Sequence, residues 1–114
     1  MPEQGDIVLI PVPFTDLSSQ KKRPVIIVSN NLYNRTTSDI VVVAMTSNPY
    51  TSTYSFEIDS KDLKQGKLNR PGHIRVDKVY TLAQSIVQKT FGKVQDHVLN
   101  EIRSIFQGML AARP

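Results

Sequence analysis

Short apolar runs separated by polar links occupy the chain as far as Val94. These runs are rich in β-branched residues and are bounded by proline, glycine or small polar residues, a pattern typical of strands. They cover 7–10, 25–28, 40–45, 54–58, 72–82 and 85–94. The run 40–45, IVVVAM, is apolar on both faces and is predicted to be a central strand. The run 85–94, SIVQKTFGKV, carries lysines and is predicted to be a final edge strand, whereas the charged stretch 61–69 is predicted to lie at the surface.

The hydrophobic period changes to that of a helix between Gln95 and Ala111. Asp96 is predicted as the N-cap, and Leu99 and Leu110 form a second apolar set suited to a dimer or partner surface. One helical face, at spacings i, i+4, i+7, i+8 and i+11, is formed by Val98, Ile102, Ile105, Phe106 and Met109. The pattern predicts an α+β domain that is mainly β: a curled antiparallel sheet or barrel with a C-terminal amphipathic helix packed on it.

Size and composition restrict the class of protein. A chain of 114 residues fits one domain, predicted to span 1–114. It has no cysteine, which excludes disulfides, thiolate catalysis and cysteine-based zinc sites and fits the cytoplasm. No apolar run is long enough to cross a membrane and the N-terminus does not resemble a signal peptide, so no membrane association is expected. The formal net charge of +4 favours polyanionic partners.

Common catalytic motifs are missing. The sequence contains no glycine-rich phosphate loop, no HExxH and no G-x-S-x-G. Its two histidines, His73 and His97, are too few for a histidine-rich metal site. Any catalysis is therefore expected to proceed without a metal ion or an organic cofactor.

The segment Gly72–Asp77, GHIRVD, places three chemically useful side chains on one face of a strand. Strand alternation sends His73, Arg75 and Asp77 to the same side. An imidazole, a guanidinium and a carboxylate in a row provide the general acid, general base and anion-binding groups needed for phosphodiester cleavage by an internal 2′-hydroxyl. The competing interpretation is a solvated strand face with an Arg–Asp ion pair of little energetic value.

Arg23 and Thr46 are a second candidate pair. Arg23 precedes the strand 25–28 and Thr46 follows the strand 40–45, so antiparallel pairing of these strands would bring both residues to one rim of the sheet. A guanidinium and a hydroxyl at a rim can clamp a phosphate. Taken singly, Arg23 also fits a charged strand end and Thr46 a strand-closing residue. Lys21 and Lys22 are expected to be solvated loop charges that add nonspecific attraction to phosphate.

The order of these motifs resembles the PemK/Kid/MazF family of toxins from bacterial type II toxin–antitoxin systems. The matching segments are GDIVL, KRPVIIVSN, VVVAMTS and HIRVD, followed by the amphipathic helix, and they extend over nearly the whole chain. The resemblance implies an SH3-like barrel, a homodimer, and metal-independent, sequence-preferring cleavage of single-stranded mRNA that leaves a 2′,3′-cyclic phosphate and a 5′-hydroxyl.

The resemblance also implies roles for individual residues. Asp77 would accept the 2′-hydroxyl proton, Arg75 would assist the leaving 5′-oxygen and stabilise the phosphorane, and Arg23 with Thr46 would hold the nonbridging oxygens. Arginine is a poor proton donor, so its electrostatic role is the one we favour. Substrate contacts are expected from Lys21, Lys22, Ser47 and His73.

One departure from the family pattern affects substrate recognition. Kid-like members carry a His-Glu pair in the loop before R-P-V, whereas this loop reads DLSSQ at 16–20. The resemblance further implies an acidic, partly disordered antitoxin as partner and contact with operator DNA through the toxin–antitoxin complex. Two other classes remain open, a CcdB-like gyrase poison and a non-catalytic nucleic-acid-binding barrel. The absence of tryptophan argues against the first of them.

Overall fold

The computed structural model describes residues 1–12, 21–49 and 51–114, so the loop 16–20 lies outside the described residues. Strands and helices account for most of the described chain. The strands are β1 (Asp6–Val12), β2 (Lys21–Ile27), β3 (Asp39–Thr46), β4 (Ser55–Ile58), β5 (Leu63–Gln65), β6 (Gly72–Ala83) and β7 (Lys89–Val94). The helices are α1 (Asn31–Thr36) and α2 (Asp96–Leu110), and short 3₁₀ turns cover Ser60–Asp62 and Gln84–Ile86.

The strands form one curled antiparallel sheet, as predicted, in the order β4-β6-β3-β2-β1-β7-β5. The prediction that the last strand lies at an edge was wrong, because β7 is flanked by β1 and β5. Strand β5 occupies part of the stretch that was predicted to be only a surface excursion. Its Leu63 is buried and pairs with Val94, which closes this side of the sheet.

Strand β2 begins earlier than the apolar pattern predicted. Lys21 and Lys22 belong to the strand and pair with Val12 and Pro11 of β1, although their side chains are exposed. Backbone pairing with β1 extends the strand through residues whose side chains make no contribution to a core. The two lysines are therefore fixed in position along a strand and are not the loop charges that were expected.

Apolar side chains pack on both faces of the sheet. One face carries the larger cluster, which α2 covers with Val98 and Ile102. The opposite face carries a smaller cluster that the curl of the sheet and the segment 84–87 enclose. The larger cluster contains Ile7, Ile26, Val43, Met45, Ile58, Leu63, Ile74, Val76 and Val94. The smaller cluster contains Val8, Ile10, Val25, Ile27, Ile40 and Val42.

Helix α2 follows the predicted period but not the predicted cap. The N-cap is Gln95, one residue before the predicted Asp96. The Gln95 side chain donates to the Leu63 carbonyl across 3.1 Å, and the Asp96 carboxylate instead binds Lys64 Nζ at 3.0 Å. Leu99 packs against the larger cluster, whereas Leu110 remains exposed. Neither helix in the described part of the chain has the length and apolar character needed to cross a membrane.

Candidate active site

The alternation predicted for the GHIRVD segment is present in β6. Ile74 and Val76 are fully buried on the face that α2 covers. His73, Arg75 and Asp77 are only partly buried and lie on the other face. The imidazole, the guanidinium and the carboxylate thus share one side of one strand, as expected from the sequence.

Neighbouring strands place two rows of side chains across this face. In the first row, Thr46 of β3 and Glu57 of β4 flank His73 on either side. In the second row, Ala44 and Ser55 flank Arg75 in the same way. Because alanine and serine are small, the long Arg75 side chain has room between the two neighbouring strands.

Arg75 and Asp77 form an ion pair on this face. The distance from Arg75 Nη2 to Asp77 Oδ2 is 3.0 Å, and the side chains are 23% and 29% exposed. The other carboxylate oxygen, Asp77 Oδ1, is buried and accepts no hydrogen bond from the described residues. A buried carboxylate oxygen without a hydrogen bond costs free energy, which a donor from a bound ligand or a water molecule would offset.

A register shift positions Asp77. Val43 of β3 pairs with Val79, yet the next residue, Ala44, pairs with Arg75, so that 76–78 form a bulge in β6. The bulge is not left unsatisfied, because the Val76 amide donates to the carbonyl of Tyr54 at 3.0 Å. Bulges re-aim side chains and are frequent beside active sites. Here the bulge lies immediately at the Asp77 carboxylate.

The expected rim pair, Arg23 and Thr46, lies on neighbouring strands. Strands β2 and β3 are antiparallel, with Val25 opposite Ala44, and continuing that register by two residues places Arg23 opposite Thr46. The Arg23 side chain is exposed, and Thr46 Oγ1 accepts a hydrogen bond from the Asn48 amide at 3.1 Å. The guanidinium and the hydroxyl thus occupy one rim of the sheet, next to the row that contains His73.

His73 has a carboxylate neighbour that sequence reasoning missed. Its Nε2 lies 3.5 Å from Glu57 Oε2, and its side chain is only 13% exposed whereas that of Glu57 is 59% exposed. Glu57 lies in the run 54–58, which alternates only moderately between apolar and polar residues. The sequence therefore indicated only that Glu57 is on the polar side of a short strand. The partner strand and register of β4 were not visible in the sequence, and the pair depends on both.

A cavity of about 220 Å³ opens at the same rim, beside Thr46 and Ser47. Ser47 is exposed, as are Lys21 and Lys22 at the start of β2. The remaining walls are formed by Pro24, Met45, Leu68, Asn69, Arg70, Pro71, Gly72 and Phe91. Among the residues of the three described ranges, no group of three or more His, Asp and Glu side chains could hold a metal ion.

The fold and the site define the class of protein. Its fold is that of the MazF-like toxins, small curled antiparallel sheets carrying a C-terminal helix. A family model for the PemK-like, MazF-like toxin of type II toxin–antitoxin systems matches residues 3–110. The chain belongs to this family.

Solved structures agree on the fold. An endoribonuclease from a mycobacterial species, in complex with its cognate antitoxin, has 21% identity and a TM-score of 0.75 over 100% of both chains. A second mycobacterial endoribonuclease has 24% identity and a TM-score of 0.75 over 99% of this chain and 95% of its own. A MazE–MazF structure from Deinococcus radiodurans has 21% identity and a TM-score of 0.77 over 96% of this chain and 95% of its own. No curated protein matches the chain.

Proposed function

We propose that this toxin-family protein is a metal-independent, sequence-preferring endoribonuclease that cleaves single-stranded mRNA. The observation that carries the proposal is the Arg75–Asp77 ion pair, at 3.0 Å, on the face and near the rim that bear Thr46. A guanidinium and a carboxylate side by side can stabilise a phosphorane and accept a proton. The structures with similar folds that are named endoribonucleases support the same activity.

The reaction assigns one task to each group. Asp77 takes the proton from the 2′-hydroxyl as the 2′-oxygen bonds to phosphorus. The bond from phosphorus to the 5′-oxygen then breaks, which leaves a 2′,3′-cyclic phosphate and, after protonation, a 5′-hydroxyl. Arg75 offsets the negative charge of the phosphorane, and Arg23 with Thr46 binds the nonbridging oxygens. No metal ion is needed for this chemistry.

The exposed cations suit a long anionic substrate. Lys21 lies on the same strand face as Arg23 and extends the positive rim, and Lys22 adds an exposed positive charge on the other face of the same strand. Strand geometry spaces successive side chains on one face by about 7 Å, close to the distance between adjacent phosphates in an extended single strand. Ser47, at the mouth of the rim cavity, would contact the substrate beside Thr46.

Partners follow from the family and from charge. An acidic antitoxin segment would cover the basic rim and block RNA entry through charge complementarity. A solved structure with this fold, a mycobacterial endoribonuclease, is a complex with its cognate antitoxin. We further expect a homodimer, contact with operator DNA through the toxin–antitoxin complex, and action in the cytoplasm, where mRNA is translated.

The test is cleavage of a mixed-sequence RNA by the purified protein in EDTA, with the products mapped at both ends. We expect cyclic-phosphate and 5′-hydroxyl ends at a limited set of sequences. Arg23→Ala and Asp77→Ala should each lower the rate by about 10²-fold or more while the proteins stay folded. Absence of cleavage by folded wild-type protein would contradict the ribonuclease proposal. Near-normal cleavage rates in both variants would show that the active site is elsewhere.

A further inference from the structure

The proposed reaction needs a proton donor that the Arg75–Asp77 pair cannot supply well. The departing 5′-oxygen is a poor leaving group as an alkoxide, so it must acquire a proton as its bond to phosphorus breaks. A guanidinium stays protonated throughout the accessible pH range and gives up a proton reluctantly. Asp77 is already committed to accepting the 2′-hydroxyl proton. A further acid on the same face would complete the site.

His73 is the histidine on that face. It lies two residues from Arg75 on β6 and directly opposite Thr46 on β3. Its side chain is 13% exposed, so the ring is held within the site and not free in solvent. Imidazole changes protonation near neutral pH, which makes it the usual group for giving a proton to a leaving oxygen.

Glu57 gives the ring a defined orientation. Its carboxylate approaches Nε2 from β4, at 3.5 Å, on the side of the ring away from Nδ1. A carboxylate beside one nitrogen of a histidine selects the tautomer and the ring angle, which leaves the second nitrogen for chemistry. The charged and polar groups facing His73 are Glu57 from β4, Thr46 from β3, and Arg75 and Asp77 from β6.

Resting on the ribonuclease function proposed above, we propose that His73 is the general acid of the reaction and that Glu57 is its positioning residue. The imidazolium transfers a proton from Nδ1 to the 5′-oxygen as the phosphorus–oxygen bond breaks. Asp77 has gained the 2′-hydroxyl proton in the preceding step, when the 2′-oxygen bonded to phosphorus. Exchange of one proton between Asp77, solvent and His73 restores both groups, so the cycle consumes no co-reactant.

The decisive experiment changes the leaving group. An oligonucleotide with one ribonucleotide at a mapped cleavage site is prepared in two forms, with the ordinary 5′-oxygen or with sulfur at that bridging position. A thiolate leaves without protonation, so the sulfur substrate needs no general acid. His73→Gln should slow cleavage of the oxygen substrate by about 10²-fold or more and should cleave the sulfur substrate at nearly the wild-type rate.

Glu57→Gln should show the same selectivity with a smaller loss. Asp77→Asn should be slow on both substrates, because its task precedes the departure of the leaving group. A purely structural role for His73 would not produce the sulfur rescue.

The other histidine provides a matched control. His97 also lies beside a carboxylate, that of Asp62 at 2.8 Å, but its site is the start of α2. His97→Gln should cleave both substrates like the wild type. The sulfur rescue also controls for misfolding, since an unfolded His73→Gln protein would cleave neither substrate.

The outcomes separate the two proposals. If wild-type protein cleaves no RNA, the ribonuclease function and the acid assignment fall together. If wild-type protein cleaves but His73→Gln, shown by circular dichroism to be folded, is equally fast on the oxygen substrate or equally slow on both substrates, only the acid assignment is wrong. Slow oxygen cleavage with restored sulfur cleavage would establish it.

Discussion

The ion pairs on the site face and the Lys93–Asp6 pair differ in how deeply their carboxylates are buried. The pairs on the site face join residues that the sheet already holds together: Arg75 and Asp77 are two positions apart on one strand, and His73 and Glu57 face each other on paired strands. Lys93 and Asp6 are likewise cross-strand partners, on β7 and β1, but the Asp6 side chain is only 10% exposed. Lys93 of β7 binds Glu3 at 2.7 Å and Asp6 at 3.3 Å, near the N-terminus.

The difference separates function from stability. Backbone hydrogen bonds of β3, β6 and β4 fix the site-face residues whether or not their side chains pair, so the ion pairs there add little to the free energy of unfolding. The Lys93–Glu3 pair joins residues 90 positions apart in the sequence. The Asp62–His97 pair joins residues 35 positions apart. Removal of the Lys93 ammonium group leaves the buried Asp6 carboxylate without its cation, although β1 and β7 stay paired through their backbones. Substitutions on the site face should therefore mainly lower the cleavage rate, whereas substitution of Lys93 should mainly lower the free energy of unfolding.

The largest expected effect is on activity, from Arg75→Gln. Loss of the guanidinium removes a charge aimed at the phosphorane and should lower the cleavage rate by about 10²- to 10³-fold. Asp77 Oδ1 is buried, but the side chain is 29% exposed, so water can solvate part of the carboxylate left behind, and the free energy of unfolding should fall by about 1 kcal/mol. Rate measurements and urea unfolding on the same preparations check both parts.

Arg103→Gln is the control for this substitution. Arg103 lies on α2 and hydrogen-bonds Asn100 of the same helix, away from the site face. Its replacement should leave the cleavage rate unchanged. A loss of more than about 3 kcal/mol of stability in Arg75→Gln would mean that the site-face pair supports the fold, and the comparison between the two kinds of pair would fail.

The next effect is on stability, from Lys93→Met. Asp6 is buried, so loss of the ammonium group leaves a carboxylate without its cation in a poorly hydrated position. We expect the free energy of unfolding to fall by about 2 kcal/mol at neutral pH. The cleavage rate per folded molecule should remain that of the wild type, and urea unfolding together with RNA cleavage measures the two quantities.

The pH dependence of this effect has a defined sign. The hydrogen bond to Glu3, followed by contacts with Asp6, raises the pKa of Lys93 above its ordinary value of 10.5. A raised pKa means that the stabilisation is complete below that ordinary value and is lost as pH rises through the folded-state pKa. The stability difference between wild type and Lys93→Met should stay constant up to about pH 10 and shrink above it. A difference that already shrinks near neutral pH would contradict this assignment.

The sequence predicted the elements of the fold better than the contacts between them. Strand β3 and helix α2 were visible in hydrophobic period, and the common face of Arg75 and Asp77 followed from alternation within one strand. The bulge at 76–78 was not visible, since it is defined only by the register of β6 against β3. Strict alternation would have put Val79 on the site face, yet it packs against the larger apolar cluster.

The same limit explains the missed site residue. Glu57 and His73 are 16 positions apart in the sequence, and their meeting requires the pairing partner of β4 and its register. Neither is encoded in local hydrophobic pattern. Arg23 and Thr46 could be brought together from sequence because each was placed at the end of its own strand, where an antiparallel neighbour must meet it.

The smallest expected effect concerns Asp62→Asn, at the junction between the 3₁₀ turn and α2. The Asp59 backbone amide, donating to Oδ2 at 2.9 Å, and then His97, at 2.8 Å from Oδ1, hold the pKa of Asp62 below its ordinary value of 3.8. Asparagine keeps one acceptor but not the charge, so we expect a loss of about 1 kcal/mol at pH 7 and an unchanged cleavage rate.

Stability measurements at acid pH separate the contribution of Asp62 from that of its exposed partner, His97. Because the folded-state pKa of Asp62 is lowered, its stabilisation is present above pH 3.8 and is lost as pH falls through the lower folded-state value. Wild type and Asp62→Asn should therefore converge in stability below that pH. His97 is 64% exposed and gives only the second contribution, so His97→Gln should lose less stability than Asp62→Asn. An equal loss of stability in the two variants would mean that the ion pair with His97 stabilises this junction. The smaller loss expected for His97→Gln would mean that the hydrogen bond from the Asp59 amide to the Asp62 carboxylate contributes more.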